Sequence, residues 1–310
     1  MRPAQERLTE RRNPASIGID RKSIPEMLRI FHEEDRKAVA AVEAVAEAVA
    51  EAIEWVEAAF RRGGRLFYVG SGTSGRLGVL DASECPPTFG VSPERVVGII
   101  AGGDVALRRS IEAAEDDAEA GAEAIRTYRI DERDVVVGIT TSGRTPYVLG
   151  ALREAHRRGA RTVLLSCTPP ESELGAFVDG FITPLVGPEI IAGSTRLKAG
   201  TATKLILNQI TTIAMIRIGK VYDNWMVDVQ ATNSKLRERA RRMVAEIAGV
   251  DAETAQRALN AASGDTKVAI LMLSGEMDAE EARQVLAAHG DSLRAALRAA
   301  GKVDRAHPFS

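Results

Sequence analysis

Cysteine, aromatic residues and long apolar runs are all scarce in this chain of 310 residues. Two cysteines, Cys85 and Cys167, are too few for a disulfide framework in a chain of this length, which favours a reducing cytoplasm. The first residues contain no apolar segment of the kind found in secretion signals. The most apolar stretch, residues 205–218, is interrupted by polar side chains and falls short of the roughly 20 apolar residues that cross a bilayer. It therefore predicts a buried helix, and we expect no membrane partner.

An excess of charge of one sign is also lacking. The chain has 41 lysines and arginines against 43 aspartates and glutamates, a formal net charge of −2. Proteins that mainly bind nucleic acid usually carry a basic excess, so we expect no nucleic-acid partner, although a local anion site remains possible. The histidines share no ligand spacing, and we expect no metal site.

The order of the hydrophobic patterns predicts an α/β fold. Residues 24–62 carry apolar residues at helical spacing and form one long helix or two. Five apolar runs rich in valine and isoleucine follow, at 66–69, 96–101, 135–139, 162–166 and 181–186. Mostly helical segments separate them, at 74–83, 105–126 and 146–158. This alternation predicts a doubly wound sheet of five parallel strands, whose ligands bind outside the carboxyl ends of the strands.

The remaining patterns are helical and divide the chain into three parts. Helices are predicted at 198–220 and, with many charges, at about 232–247. From residue 249, three segments open with aspartate and carry apolar residues every three or four positions, which predicts a small three-helix unit. We assign 1–62 to an N-terminal arm and long helix, 63–244 to the sheet domain, and 245–310 to a small helical domain and tail.

Two loops after predicted strands combine glycine with small hydroxyl residues. The loop residues are Ser71, Gly72, Thr73 and Ser74 after the first strand, and Thr141, Ser142, Gly143 and Thr145 after the third. Backbone N–H groups in such turns converge on an anion at a helix N-terminus, and the hydroxyls add donors. A single loop of this kind usually only caps a helix. Two of them, each containing Ser-Gly-Arg, favour one phosphate pocket.

Nucleotide motifs fit these loops poorly. Neither loop matches the pattern GxxxxGK[ST] of nucleotide-binding P-loops. Residues 70–75 match GxGxxG, but the second strand lacks the acidic residue that a dinucleotide site needs at its end. A third segment between a strand and a helix, residues 187–201, carries Ser194 and Thr195 at an expected N-cap position, with Arg196 and Lys198 behind them. These side chains suit a sugar phosphate, although the cations could also face solvent.

The motifs together resemble those of a known family. The chain is similar to N-acetylmuramic acid 6-phosphate etherases in the segments YVGSGTSGRLGVLDASECPPTFG, AAEDD, TTSGRT, GPEIIAGSTRLKAGTATK and VYDNWMVDVQATNSKL. That family belongs to the sugar isomerase (SIS) domain superfamily and is related to glucokinase regulatory protein. The resemblance runs from Leu8 to at least Leu236, and the last helices resemble the family's small, UBA-like terminal domain. It implies the SIS fold, a sugar-phosphate ligand, a homodimer, and neither metal nor organic cofactor.

The resemblance also implies a reaction, the cleavage of the D-lactyl ether of N-acetylmuramate 6-phosphate during cell-wall recycling. Lactate leaves by elimination and water adds at C3, giving N-acetylglucosamine 6-phosphate and D-lactate. This chemistry needs a base at C2 and an acid at the leaving oxygen. The family's catalytic pair matches Glu84 and Glu115. Cys85 precedes a proline, which predicts that a helix ends at Glu84 and places this residue at the helix's negative pole, as suits a proton donor.

The order of acid and base stays open, and we assign Glu84 as acid and Glu115 as base. Without the resemblance, a glutamate such as Glu115 on an Ala/Glu-rich helix would be taken as a solvated surface charge. Ser74 and Glu84 are ten residues apart on one predicted helix, or about 15 Å at 1.5 Å per residue. One sugar cannot easily reach both. Either Ser142 and Thr145 hold the phosphate, or the helix bends, or a second subunit supplies one carboxylate; we predict a site shared across the dimer.

Two other functions remain open at this point. An aldose–ketose phosphosugar isomerase would share the fold, the phosphate loops and proton transfer at C2, but would not expel a C3 substituent. A non-catalytic sugar-phosphate sensor would bind the ligand without turnover. The presence of both Glu84 and Glu115 argues against a degenerate, non-catalytic site.

Overall fold

The computed structural model describes residues 8–229 and 234–301. The chain divides into two compact units. The first comprises Met1–Ser83 and Pro93–Thr212, and the second comprises Glu84–Ser92 and Ile213–Ser310. Each unit has its own hydrophobic core.

A parallel sheet of five strands forms the centre of the first unit. The strands are β1 (Leu66–Gly70), β2 (Val96–Ile100), β3 (Val135–Ile139), β4 (Arg161–Leu165) and β5 (Gly180–Ile182). Their order in the sheet is β2-β1-β3-β4-β5, and Leu66 of β1 is level with Val96 and Val135. Every residue of β1 and β3 is buried, which explains their continuous apolar runs. The predicted α/β class and the five parallel strands are confirmed.

Helices cover the sheet and follow its strands. They are α1 (Ile24–Glu43), α2 (Ala46–Arg61), α3 (Gly72–Phe89), α4 (Val105–Arg108), α5 (Ala118–Thr127), α6 (Pro146–Arg157) and α7 (Lys198–Arg217). Short 3-10 turns lie at Leu8–Glu10, Pro14–Ser16, Ile19–Arg21, Glu112–Asp116 and Ser172–Ala176. The long N-terminal pattern is therefore two helices. No helix in the described part of the chain is long and apolar enough to span a membrane.

Helix α3 is longer than the sequence predicts. The expected end at Glu84 is wrong, because the helix continues through Pro86 and Pro87 to Phe89. Proline disfavours helix both at the residue before it and within the helix, and here burial of Cys85 and Phe89 on the added turns opposes that cost. Glu84 is consequently not in the last turn of α3, and the argument that placed it at the helix's negative pole does not hold.

The segment between β2 and β3 is also not the single helix that was predicted over residues 105–126. It consists of α4, a 3-10 turn and α5. Asp117 ends the turn and caps α5, since its carboxylate accepts a hydrogen bond of 2.8 Å from the backbone N–H of Ala120. Glu115 lies in the 3-10 turn, not in a helix.

The second unit is helical. Its helices are the C-terminal parts of α3 and α7, then α8 (Ser234–Ala248), α9 (Ala252–Ala261), α10 (Thr266–Gly275), α11 (Ala279–Ala288) and α12 (Leu293–Ala299). The aspartates at 251, 265 and 278 cap α9, α10 and α11 as predicted. Within residues 250–301, four helices are present rather than three, because Ser292 caps a separate α12. The predicted start of a helix at residue 232 lies outside the described residues.

Candidate functional site

The strand order places the two hydroxyl-rich loops beside each other. β1 and β3 are neighbours in the sheet, but β1 is followed in sequence by β2 on its other side, so the direction of winding reverses between them. In parallel sheets such a reversal opens a crevice at the carboxyl ends of the two strands. α3 begins at Gly72, directly after β1, and α6 begins at Pro146, after the loop that follows β3. Two helix N-termini therefore border one crevice, a favourable place for an anion.

A cavity of about 200 Å³ lies there. Its twelve lining residues are Glu10, Ser71, Gly72, Thr73, Ser74, Glu115, Thr140, Thr141, Ser142, Thr145, Gly193 and Thr195. Eight of them carry hydroxyl groups, two are glycines and two are glutamates. No lysine or arginine among the described residues lines this cavity. Its hydrogen-bond donors are thus neutral hydroxyls and backbone amides, which can bind phosphate without a cation.

The loop after β1 is a tight turn that only glycine permits. A Cβ atom on Gly70 would lie 2.6 Å from the backbone nitrogen of Gly75, and one on Gly75 would lie 2.7 Å from the carbonyl oxygen of Gly70. Gly72 has φ +50°, in the left-handed region. These close approaches show that the GxGxxG pattern lets the end of a strand pack against the start of a helix. The pattern therefore needs no dinucleotide ligand to explain it. Residues 71–74 of this turn line the cavity.

The hydroxyls of the loop after β3 bond to each other and not to the helix that follows. Thr140 Oγ1 lies 2.7 Å from Thr145 Oγ1 and 3.3 Å from Ser142 Oγ. Thr145 is the residue before α6, yet its side chain makes no capping hydrogen bond. Gly143 shapes the turn with φ +72° but does not line the cavity. Simple helix capping therefore does not account for these hydroxyls.

The third predicted segment contributes less than expected. Thr195 and Gly193 line the cavity, whereas Ser194 and Lys198 do not. Ser194 and Thr195 are also not the N-cap of α7, so that expectation is wrong. The carboxylate of Glu189 takes this role, accepting hydrogen bonds of 3.0 Å from the backbone N–H groups of Lys198 and Ala199. Glu189 is fully buried, and this burial raises its pKa.

Lys198 points into the interior of the first unit. Its side chain is 1% exposed, and its ammonium lies 2.5 Å from the carboxylate of Glu34 on α1. The structure thus places Lys198 in a buried ion pair away from the cavity. Sequence reasoning missed this partner, because Glu34 is separated from Lys198 by 164 positions.

The two glutamates of the predicted catalytic pair lie in different places. Glu115 lines the cavity, and a Cβ atom on Gly72 would lie 3.4 Å from its Oε1, so its carboxylate rests against the loop after β1. Glu84 is an exposed residue of α3 that belongs to the second unit and is not among the lining residues. Glu84 lies twelve positions after Gly72 along this continuous helix, or about 18 Å.

An additional carboxylate, Glu10, reaches the cavity from the N-terminal arm. The arm is held by Asn13, whose amide donates hydrogen bonds to Glu34 (2.8 Å) and to the carbonyl of Pro188 (3.0 Å). Ser16 donates a 2.6 Å hydrogen bond to the carbonyl of Ile190. Glu10 was not predicted, since nothing in its local pattern separates it from the other charges of the arm. Glu10 is recognised as a cavity residue only from the tertiary structure, in which the arm is held by Asn13 and Ser16.

No metal site accompanies the cavity within residues 8–229 and 234–301, where no group of three or more histidine, cysteine, aspartate or glutamate side chains could hold an ion. The residues that line the cavity offer hydrogen bonding by neutral donors and proton transfer by carboxylates. Such an arrangement can bind a phosphorylated small molecule and move a proton on it.

Comparisons with known proteins identify a matching family profile and close relatives. Residues 45–156 match the family profile described as the glucokinase regulatory protein N-terminal SIS domain. The chain is 55% identical over 282 residues to an N-acetylmuramic acid 6-phosphate etherase of Caldanaerobacter subterraneus subsp. tengcongensis, a match that covers 91% of this chain and 92% of that protein. It is 52% identical over 290 residues to N-acetylmuramic acid 6-phosphate etherase 2 of Vibrio parahaemolyticus, covering 94% and 96%.

Among solved structures, the chain is similar to a phosphoheptose isomerase of Francisella tularensis, with a TM-score of 0.47 and 19% identity over 63% of this chain and 99% of that one. A phosphoheptose isomerase of Neisseria gonorrhoeae gives a TM-score of 0.46 and 20% identity over 62% and 98%.

Proposed function

This chain belongs to the N-acetylmuramic acid 6-phosphate etherase family, whose members are carbon–oxygen lyases, and we propose that it cleaves the D-lactyl ether at C3 of N-acetylmuramic acid 6-phosphate. The products are N-acetylglucosamine 6-phosphate and D-lactate, as in the recycling of cell-wall amino sugars. The observation that carries the proposal is the cavity at the β1/β3 crevice, where hydroxyl-rich loops surround the carboxylate of Glu115.

The loops after β1 and β3 bind the phosphate in this proposal. Two helix N-termini and the hydroxyls of Ser71, Ser74 and Ser142 supply donors for its oxygens. Because these donors are preorganised by glycine turns and by the Thr140–Thr145 hydrogen bond, little ordering is needed when the phosphate binds. Phosphate held there leaves the carbon chain of the sugar in the rest of the cavity, beside Glu115.

Proton transfer by carboxylates performs the reaction. The aldehyde of the open-chain sugar acidifies the C2 proton, and Glu115 removes it. The C3–O bond then breaks, a C2–C3 double bond forms, and an acid protonates the departing lactate oxygen. Water adds its hydroxyl at C3, and a proton returns to C2. Each general acid or base contributes on the order of 10²–10⁴-fold to such a reaction.

Glu84 is the proposed acid, supplied by the second subunit of a homodimer. Its distance from Gly72 along α3, about 18 Å, is too long for one sugar to contact both residues of the same helix. Glu84 is exposed and thus available to another copy of the chain. A site shared between subunits accounts for both facts. We place the enzyme in the cytoplasm, where the thiols of Cys85 and Cys167 would stay reduced.

The proposal is tested by incubating the purified protein with N-acetylmuramic acid 6-phosphate in D₂O. We expect D-lactate and N-acetylglucosamine 6-phosphate in equal amounts, with deuterium at C2 of the sugar. Exchange at C2 without lactate would identify a phosphosugar isomerase instead. Tight binding without exchange or lactate would identify a sensor, and either result would refute the proposed function.

A further inference from the structure

The second carboxylate of the cavity, that of Glu10, has no part in the reaction described above. We propose that Glu10 is a substrate-binding residue whose carboxylate accepts hydrogen bonds from hydroxyl groups of the sugar and so selects sugar phosphates over other phosphates. The inference rests on the proposed function in that it takes the bound ligand to be a sugar phosphate.

The position of Glu10 supports this role. A Cβ atom on Gly193 would lie 3.0 Å from Glu10 Oε2, so the carboxylate rests against the segment that also carries Thr195. Glu115 rests instead against Gly72 of the first loop. The two carboxylates are therefore held by different parts of the cavity wall, and they can contact different groups of one ligand.

The arm that carries Glu10 is fixed by hydrogen bonds from two buried side chains, Asn13 and Ser16. Asn13 is 6% exposed, and its side-chain amide donates hydrogen bonds to the carboxylate of Glu34 and to the carbonyl of Pro188. Ser16, 9% exposed, bonds the carbonyl of Ile190. These contacts tie the arm to the segment just before Gly193. They fix the backbone three residues after Glu10, and with it the approach of this side chain to the cavity.

The charge of Glu10 decides what it can bind. No cation among the described residues lines the cavity, and no described residue donates a hydrogen bond to the Glu10 carboxylate. A carboxylate is only a hydrogen-bond acceptor and repels an anionic phosphate, so its partner on the ligand must be a neutral donor. A sugar hydroxyl is such a donor, and hydrogen bonds to a charged acceptor are about twice as strong as neutral ones.

Binding measurements on three proteins test the inference: wild type, Glu10→Gln and, as a matched control, Asp20→Asn. Asp20 is an exposed carboxylate of the same arm that does not line the cavity. The probes are N-acetylglucosamine 6-phosphate and inorganic phosphate, titrated by calorimetry. For Glu10→Gln we expect about 10- to 100-fold weaker binding of the sugar phosphate, with inorganic phosphate bound as in wild type or more tightly. Asp20→Asn should bind both probes as wild type does.

Two results would overturn the inference. Equal loss of affinity for both probes in Glu10→Gln would mean that Glu10 only supports the fold of the site. Unchanged affinity for both would mean that it does not contact the sugar. Neither probe carries the lactyl ether, so these outcomes are independent of lactate release, which alone decides the proposed function.

Discussion

The ammonium of Lys198 and the carboxylate of Glu34 lie 2.5 Å apart, with side chains 1% and 2% exposed. This pair joins the first turn of α7 to the middle of α1. Asn13 donates a further hydrogen bond to the same carboxylate, so three distant parts of the chain meet at one buried charge.

Removal of the buried cation should destabilise the protein strongly. Lys198→Met leaves Glu34 charged and without its main partner in the interior. Such a loss typically lowers the free energy of unfolding by about 3–5 kcal/mol. The control is Lys37→Met, because Lys37 contacts the same carboxylate from an exposed position, with 61% of its side chain accessible. Exposed pairs contribute about 0–1 kcal/mol. Urea unfolding measures both, and equal losses would contradict a structural role for Lys198.

Acid should weaken the fold through Glu34. Burial raises its pKa, but hydrogen bonds from Lys198, Lys37 and Asn13 outweigh this effect and bring the pKa from 4.5 to about 2. A pKa lowered in the folded state stabilises the fold above the unfolded value. That stabilisation, of the order of 3 kcal/mol, is lost as the pH falls from about 4.5 to about 2.

Glu34→Gln should therefore show a flatter dependence of the free energy of unfolding on pH in this range. Glu33→Gln, which changes the neighbouring exposed carboxylate, should keep the wild-type slope. Urea unfolding at a series of pH values gives both slopes. A Glu34→Gln protein with the wild-type slope would show that other carboxylates govern acid unfolding.

Replacement of the proposed base should slow exchange of the C2 proton without weakening the binding of inorganic phosphate. We expect Glu115→Gln to lower both deuterium exchange at C2 and D-lactate release by about 10²- to 10⁴-fold. Affinity for inorganic phosphate should remain, since the hydroxyl-rich loops are intact. Glu112→Gln serves as control, because Glu112 is an exposed carboxylate of the same 3-10 turn and does not line the cavity. Retained exchange in Glu115→Gln would assign the base elsewhere.

Substitution of the proposed acid, Glu84, should slow the release of D-lactate without stopping exchange of the C2 proton. In Glu84→Gln, exchange of the C2 proton in D₂O should continue while release of D-lactate falls by about 10²-fold or more. Loss of exchange together with lactate release would overturn the assignment of Glu84 as acid. Ser83→Ala, a change at the adjacent exposed position, should leave both rates unchanged.

Mixed dimers test the shared site. Glu84→Ala subunits refolded with Ser142→Asp subunits should regain about one quarter of wild-type activity, because half the dimers are mixed and each has one complete site. Either variant alone should be nearly inactive. A mixture no more active than its parents would show that each site is built from one chain.

Local patterns were sufficient to locate the five strands and the two hydroxyl-rich loops that follow β1 and β3. Apolar runs rich in valine and isoleucine predicted all five strands, since residues buried on both faces of a parallel sheet need not alternate. The capping aspartates of α9, α10 and α11 were also readable, because a cap bonds within three residues of itself. Local rules failed at Pro86 and Pro87, where packing of the added turns overrides the backbone cost of proline in a helix.

Sequence alone thus determined which elements form and which loops carry hydroxyls and glycines, because those properties depend on neighbours a few positions apart. Tertiary structure alone decided the strand order that brings the loops after β1 and β3 together. It also decided that Glu10 reaches the cavity while Lys198 is paired in the interior with Glu34. The partners in these contacts are separated by up to 183 positions, as for Glu10 and Gly193, so no local pattern records them.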